Sequence, residues 1–483
     1  MKSTLIKDTT KSERIQLVKQ WEETEGCESS GIDLLEFFRD YIDGVKEIAE
    51  VNADVNARYI SEIPKFTKKH SLSHTKRFLE ILQIPQGKMK ILHVAGTNGK
   101  GSVCAYLDAM LRSEGKRTGL FISPHLVKRN ERIMIDGVPV SDEVFSEVFT
   151  QTLGAVKQME AEGLEHPTFF EFLFGMGMLA FSQAEAEYVI LETGLGGRLD
   201  ATSATEDPEV CVITSIGLDH MEYLGVTVEQ IAGEKAGIIR PGVPVFYAQS
   251  AEESDRVIEK TAAQQGSSCT KIGKDAYEIL GIEDKHIAFS CASAYYGTTT
   301  WKLNNIGTYQ PGNALLAMEV MRYLFKENGH PQEWRTALSR VKWAGRMEEI
   351  LPKVYVDGAH NVSAIQAFAR SVPKNPDGNI ILFSAVKDKE YEEMISYLCK
   401  HADAEEYVVT LIDGDRATDA HILGELFRKY TEQPVTVIES VKEAMQYVLR
   451  IQGRRTVYCL GSLYLTGMIK EIIQESLSGC GEV

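Results

Sequence analysis

The stretch ILHVAGTNGKGSVCAYLDAM, Ile91 to Met110, decides how the rest of the chain is read. A β-branched apolar run enters a loop with glycines at 96, 99 and 101, and a helical pattern follows. Val103, Leu107, Met110 and Leu111 share one helical face, and Gly115 stands where a helix end favours glycine. A strand, a glycine loop and a helix in this order make an anion cradle, because the glycines let backbone N–H groups turn inward and the helix adds its dipole. Lys100 would meet β- and γ-phosphates as a point charge, and Ser102 would offer its hydroxyl to Mg2+. Gly101 separates the two, where the commoner phosphate loop has lysine followed directly by serine or threonine.

The rhythm set by this unit continues on both sides. From about residue 51 to 342, KILHVA, RTGLFIS, YVILET, EVCVITSI and VPVFYA read as strands between helical patterns. Continuous apolar strands of this kind predict a mostly parallel α/β sheet covered on both faces. NNIGTYQPGNALLAMEVMRYLF closes the region with a helix after a Pro-Gly break, and KWAGRMEE suits a linker at 343–349. A second α/β series follows from 350 to 483, with KVYVDGAHN, NIILFSAVKDKE, EEYVVTLI, QPVTVIES and RRTVYCLGSLYL. Residues 1–50 read as a helical N-terminal extension, marked by Leu34, Leu35, Phe38, Ile42 and Val45 at helical spacing.

Bulk properties narrow the partners. At 483 residues the chain needs more than one core. A net charge of -17 disfavours a nucleic-acid or anionic-membrane surface, so a polyanionic partner must be small and held in a local pocket. The eight cysteines are scattered without a C-x-x-C pair, which argues against zinc and disulfides and for a reducing cytoplasm. The longest apolar run, Phe169 to Phe181, contains Glu171 and is too short to span a bilayer, so it reads as a buried helix.

Further polar residues stand at strand ends. Glu192 closes YVILE, a position suited to a metal-binding acid, and the following glycines with Arg198 and Asp200 strengthen that reading. Asp219 and His220 lie past the end of EVCVITSI, where open α/β sheets place ligands. Thr227 and Gln230 predict a capping box for a helix running to Pro241-Gly242, and Lys235 in its middle reads as a solvated charge. Arg346 in the linker and Asp357 to Asn361 at another strand end complete the polar set.

Together these segments resemble the folylpolyglutamate synthase family, including its bifunctional dihydrofolate synthase members, within the ATP-dependent Mur-type ligases. HVAGTNGKGS, SPHL, ETGLGGRLDAT, SIGLDHMEYLG, EKAGIIRPG, WAGRMEE, DGAHN and GSLYL occur in that order across roughly residues 55 to 470. The Lys-Gly-Ser spacing is that family's own. The resemblance implies a Mur-ligase-type P-loop ATPase domain with a mostly parallel sheet, a smaller Rossmann-like α/β C-terminal domain, and an active site in the cleft between them. It implies that Gly96, Thr97, Asn98, Gly99, Lys100, Gly101, Ser102, Asn313, Arg346 and Asp357 bind ATP, and that Ser102, Glu192 and His220 hold Mg2+, with a monovalent cation such as K+ as a further candidate. Lys100, Lys235 and His360 would be catalytic, Lys235 as a carbamate, which overturns the solvated reading of that lysine. Ser123, Pro124 and His125 would line the folate pocket, and Lys387, Asp388 and Ser462 lie where the C-terminal domain could receive glutamate.

The expected reaction adds L-glutamate to a folate, and to dihydropteroate, through an acyl phosphate, in a cytoplasmic monomer acting on small molecules. Ser203, Thr193, Ala344 and Val362 depart from the family pattern, but none removes a charged or metal-binding group. A Mur-type ligase of cell-wall peptide synthesis and a regulatory ATPase that ligates nothing are the alternatives. SPHL and GLGGRLDAT favour the folate branch.

Overall fold

A computed structural model describes residues 53–63, 70–85, 87–205, 207–283, 285–291, 293, 295–297 and 299–478. The expected extension at 1–50 lies outside them. The chain divides into two compact units, one of residues up to 84 with 140–180, the other of 85–139 with 181–483.

Helices α1 (Ala53–Glu62) and α2 (Leu72–Ile81) precede the phosphate-loop helix α3 (Lys100–Ser113), and α4 (Asp142–Ala161) and α5 (Phe169–Gln183) follow it. The first unit is built from α1, α2, α4 and most of α5. Its core is aromatic: Tyr59 meets Phe149 edge-on at 5.5 Å and Phe172 at 5.9 Å. The apolar run expected to be a buried helix is α5, with Phe172, Leu173 and Phe174 fully buried.

The second unit contains three sheets. Strands β1 (Lys90–Ala95), β2 (Thr118–Phe121), β3 (Ile133–Ile135), β4 (Val138–Pro139), β5 (Tyr188–Glu192), β6 (Val210–Ile213), β7 (Val245–Ala248) and β8 (Cys269–Ile272) form the first, in the order β4-β3-β2-β5-β1-β6-β7-β8. It is parallel from β2 to β8, with β3 and β4 as an antiparallel edge. Val94 of β1 pairs with Glu192 of β5, and Ala95 with Ile213 of β6, so three strand ends and their loops share one edge. Helices α6 (Met221–Leu224), α7 (Val228–Ala236) and α8 (Glu252–Gln264) follow β6 and β7, and α9 (Gln310–Phe325) and α10 (Pro331–Arg340) pack on α3. Val103, Leu107, Met110, Leu316, Met318 and Trp334 are fully buried there.

Two boundaries differ from expectation. Helix α7 has the capping box of Thr227 and Gln230 but ends at Ala236, short of Pro241, because Gly237 lies against Arg198 and the chain turns there. Pro311 lies inside the first turn of α9 rather than breaking the chain before it, since a proline at the start of a helix forfeits only an N–H that has no helical partner. A three-stranded antiparallel sheet, β9 (Tyr277–Glu283), β10 (His286–Cys291) and β11 (Thr300–Leu303), was not among the expected strands, although β10 buries Ile287, Phe289 and Cys291 in strict alternation.

The third sheet contains β12 (Glu348–Leu351), β13 (Val354–Val356), β14 (Asn379–Phe383), β15 (Glu406–Leu411), β16 (Val435–Ser440) and β17 (Thr456–Leu460), ordered β12-β13-β17-β14-β15-β16. All but β12 run parallel. Helices α11 (Val362–Ser371), α12 (Tyr391–His401), α13 (Ala420–Tyr430), α14 (Val441–Ile451) and α15 (Leu463–Ser478) accompany it. Ile381 and Phe383 enter one core while Ile380 and Leu382 enter another, as period-two side chains must when both faces are covered. Among the described residues no helix is long and apolar enough to cross a membrane.

Candidate active site

The loop from Gly96 to Gly99 turns directly out of β1 and into α3. Gly99 has φ 90°, and a Cβ there would come within 2.5 Å of Asn313 Oδ1, so only glycine fits both the backbone and the space. The additional glycine of the loop has a packing reason: a Cβ on Gly101 would press at 3.0 Å on the indole of Trp343. Thr97 fastens the loop to the β6 end, its hydroxyl donating to Gly217 O at 3.0 Å and its N–H to Ser215 O at 2.8 Å. Lys100 Nζ curls back to Gly96 O at 3.1 Å and Thr97 O at 3.3 Å. The buried Ser102 hydroxyl accepts from Gln310 Nε2 at 3.2 Å, and Asn313 Nδ2 donates to Gln310 Oε1 at 3.1 Å, so α9 braces the start of α3.

Lys235 is not solvated: it is 5 % exposed, and its Nζ donates to Gly96 O at 2.6 Å. Burial, then the neighbouring Lys100 charge, brings its pKa down to about 7. The GLGG segment serves this lysine's helix, since Arg198 N donates to Glu234 O at 2.8 Å and Gly197 lies against the carbonyls of Glu234 and Lys235. Arg198 pairs with Glu234 at 3.3 Å rather than with Asp200, whose carboxylate instead accepts the N–H groups of Gly194 and Leu195 at 3.0 and 2.9 Å.

Glu192 is buried at the β5 end and accepts from Ser123 N at 3.0 Å. Burial raises its pKa, against the pull of Lys100, Arg346 and Arg132. Ser123 and Pro124 are thereby tied to the phosphate side of the sheet, while His125 Nδ1 accepts from the buried Arg132 at 2.7 Å. His220 heads α6 with φ 49°, and burial brings its pKa down to about 4, which keeps the imidazole neutral and able to ligate. A hydroxyl at Ser102, a carboxylate at Glu192 and an imidazole at His220 are each of a chemical kind that can ligate a divalent cation, and the buried Glu192 carboxylate is a place where positive charge is favoured.

Asp219 is where the two parallel sheets' loops meet. Its Oδ2 accepts from Asn361 Nδ2 at 2.9 Å and lies 3.7 Å from His360 Nε2, while Lys389 Nζ reaches Oδ1. Burial pushes this carboxyl up, but His360 and then Lys389 outweigh it and hold it well below the usual range. Asn361 and Asn98 exchange amide hydrogen bonds at 3.0 and 3.1 Å, and Asn98 also donates to Ser363 Oγ at 2.8 Å. Asp357 is buried and fully occupied, accepting from Met347 N at 2.8 Å, Ala359 N at 2.8 Å and Tyr309 OH at 2.9 Å. Arg346 donates to Gly345 O at 2.9 Å, and its charge lowers the Asp357 carboxyl that burial raises.

Of the residues expected near glutamate, Lys387 and Asp388 both engage the segment at 415–416. Lys387 Nζ donates to Asp415 O at 2.9 Å, Asp388 Oδ2 and Oδ1 accept from Arg416 Nη2 at 2.6 and 2.8 Å, and Ser462 is buried at the start of α15, its hydroxyl accepting from Tyr464 N at 3.1 Å. Sequence reasoning missed Lys389, one of four consecutive charges from Lys387 to Glu390, because nothing in such a run tells which charge turns inward. It also missed Trp343. In the first unit, His70, His74 and Glu171 place ligand atoms within 4.8 Å of one another, the one such group of His, Cys, Asp and Glu among the described residues. His70 already faces Glu171 at 2.8 Å and Glu165 at 3.0 Å through its two nitrogens, so hydrogen bonding within the unit accounts for the cluster.

Known proteins resemble this chain in sequence and in fold. The sequence profile of the Mur ligase middle domain matches residues 143–321, and that of the Mur ligase glutamate ligase domain matches 345–463. A Bacillus subtilis protein named dihydrofolate synthase/folylpolyglutamate synthase is 35% identical over 423 residues, covering 84% of this chain and 96% of its own. The structure of E. coli FolC in complex with DHPP and ADP superposes with TM-score 0.74 at 26% identity, covering 89% of this chain and 99% of that one. A Yersinia pestis bifunctional folylpolyglutamate synthase/dihydrofolate synthase, complexed with AMPPNP and Mn ion, gives TM-score 0.75 at 26% identity over 88% of this chain and 99% of that one.

Proposed function

The chain belongs to the folylpolyglutamate synthase and dihydrofolate synthase family, and on that premise we propose how its own residues carry out the family's reaction. It is a ligase that forms a carbon–nitrogen bond, joining L-glutamate to a folate with ATP as the energy source and Mg2+ as the metal. A relative matched over 96% of its length and named for both activities supports glutamate addition to dihydropteroate as well.

The observation that carries the mechanism is the Asn98–Asn361 amide pair, which sets the phosphate loop face to face with the strand end that bears Asp357 and His360. A nucleotide on that loop would present its terminal phosphoryl group to both sides. Lys100 would leave the Gly96 and Thr97 carbonyls to meet the β- and γ-phosphates, and Arg346 and His360 would approach from the C-terminal side, with Asn313 and Asp357 toward the nucleoside. Ser102, Glu192 and His220 would hold Mg2+, which neutralises charge on the transferring phosphoryl group. The folate carboxylate attacks the γ-phosphorus, ADP leaves, and the glutamate amine displaces phosphate from the acyl carbon. Ser123, Pro124 and His125 would flank the folate, and Lys387, Asp388 and Ser462 the incoming glutamate.

Lys235 has the chemistry of a carbamylated lysine. A pKa near 7 leaves a substantial neutral amine to attack CO2, losing one proton and becoming an anion. The change converts repulsion from Lys100 into attraction. A domain division at 51–342, 343–349 and 350–483 is supported by the two profile matches and a cytoplasmic location by the scattered free thiols, and a monomeric state completes the reading. The test is ADP release with glutamate plus dihydropteroate in one arm and glutamate plus a reduced folate in the other. ATP turnover indifferent to glutamate in both arms would leave only a nucleotide hydrolase.

A further inference from the structure

We propose that Lys389 is a positioning residue for the ligase reaction: its ammonium holds Asp219, and through Asp219 it fixes Asn361 and His360 against the phosphate loop. The proposal deepens the ligase reading above and rests on it.

Lys389 and Asp219 form a pair with side chains only 6 % and 7 % exposed. Both oxygens of that carboxylate are committed. Oδ1 takes Lys389 and the backbone N–H of His220 at 2.9 Å, and Oδ2 takes Asn361 Nδ2 at 2.9 Å with His360 Nε2 at 3.7 Å. Asn361 Oδ1 then accepts three hydrogen bonds, capping α11 through Ala364 N at 2.9 Å and taking Ser363 Oγ at 3.0 Å and Asn98 Nδ2 at 3.1 Å. One carboxylate therefore joins the β6 loop to the phosphate loop's partner on the other sheet, and Lys389 is the buried cation ion-paired with it.

The residues beside Lys389 explain its aim. Lys387 N donates to Arg416 O at 2.8 Å, and Asp388 is clamped by Arg416 at 2.6 Å, so the loop after β14 is anchored on both preceding residues. With these two charges spent on the 413–417 segment, the third is directed inward. Without its ammonium, the Asp219 carboxylate is driven to seek water or another cation, and Asn361 and His360 lose a fixed acceptor.

The experiment uses the full chain with Lys389→Met, Lys389→Arg, Asp219→Asn and the Lys389→Met/Asp219→Asn double variant, with Lys389→Gln in reserve should the methionine variant not fold. Expected for Lys389→Met is a kcat for glutamate addition lowered about 100-fold, with KM for ATP and glutamate within about threefold. Lys389→Arg should recover about tenfold of that loss, and the double variant should be no worse than the poorer single one. Amide exchange at Ala364 should quicken about tenfold in Lys389→Met, since its acceptor is no longer held. Near-normal kcat with unchanged Ala364 protection would overturn the proposal. So would a raised glutamate KM at unchanged kcat, which would make Lys389 a substrate contact, or additive losses in the double variant. Should the unaltered chain show no glutamate-dependent ADP release, the ligase reading fails, and the Ala364 exchange still decides whether Lys389 pins this junction.

Discussion

Lys235 and Lys100 donate to the same acceptor, the carbonyl oxygen of Gly96, at 2.6 and 3.1 Å. Two ammonium groups on one carbonyl is an arrangement that converting one of them to an anion would relieve. Replacing Lys235 with alanine is expected to lower kcat by about 100-fold or more. Short carboxylic acids should restore part of the rate by occupying the vacated space. Full activity without added acid would remove the carbamate from the mechanism.

Lys100→Ala is expected to lose glutamate-dependent ADP release by about 1,000-fold, because no other flexible cation lies on the loop itself. The far-ultraviolet circular dichroism should be unchanged, since Lys100 contributes only two bonds to local carbonyls. Near-normal turnover would show that phosphate is bound elsewhere.

The glycines at 99 and 101 should respond differently. Gly99→Ala meets both a left-handed backbone and Asn313, costing on the order of 1–3 kcal/mol at the loop, and KM for ATP should rise about tenfold or more. Gly101→Ala meets only the Trp343 indole, so adding Trp343→Leu should recover part of its loss. Equal behaviour of the two, or no recovery, would refute the packing account of the additional glycine.

His93 gives the fold an acid limit. Buried in β1 and bonded to the Thr202 hydroxyl at 2.8 Å, it has its pKa brought down to about 3 by burial and then by Arg240. The unfolded chain takes up this proton near pH 6.5 and the folded one does not, so the contribution is complete above about pH 6.5 and lost as pH falls toward 3. Between pH 7 and 4.5 the loss from this group is roughly 2–3 kcal/mol. Urea unfolding of His93→Gln should therefore show a shallower decline across that range than the unaltered chain, and parallel curves would count against it.

The strand rhythm was legible because parallel strands covered on both faces are continuously apolar, and β1, β5, β6, β14 and β17 all fall within the expected segments. The β9–β11 sheet was harder to read, since Ile279, Leu280 and Ile282 are exposed apolar residues that blur the alternation. Gly96 to Ser102 read as an anion cradle from their glycine spacing, while Glu192 and His220 stood out only as polar residues at strand ends, their shared metal role coming from the family resemblance. Lys235 did not, because a lysine on a helix reads as solvated until the loop it touches, 139 residues earlier, is in place. Lys389 was hidden for the same reason, its partner lying 170 residues away.

The amide exchange between Asn98 and Asn361 spans 263 positions of chain. During synthesis the ribosome releases the glycine loop long before the residue that grips it. The contact that closes the loop against the second sheet can therefore form only after residues up to Asn361 have been made.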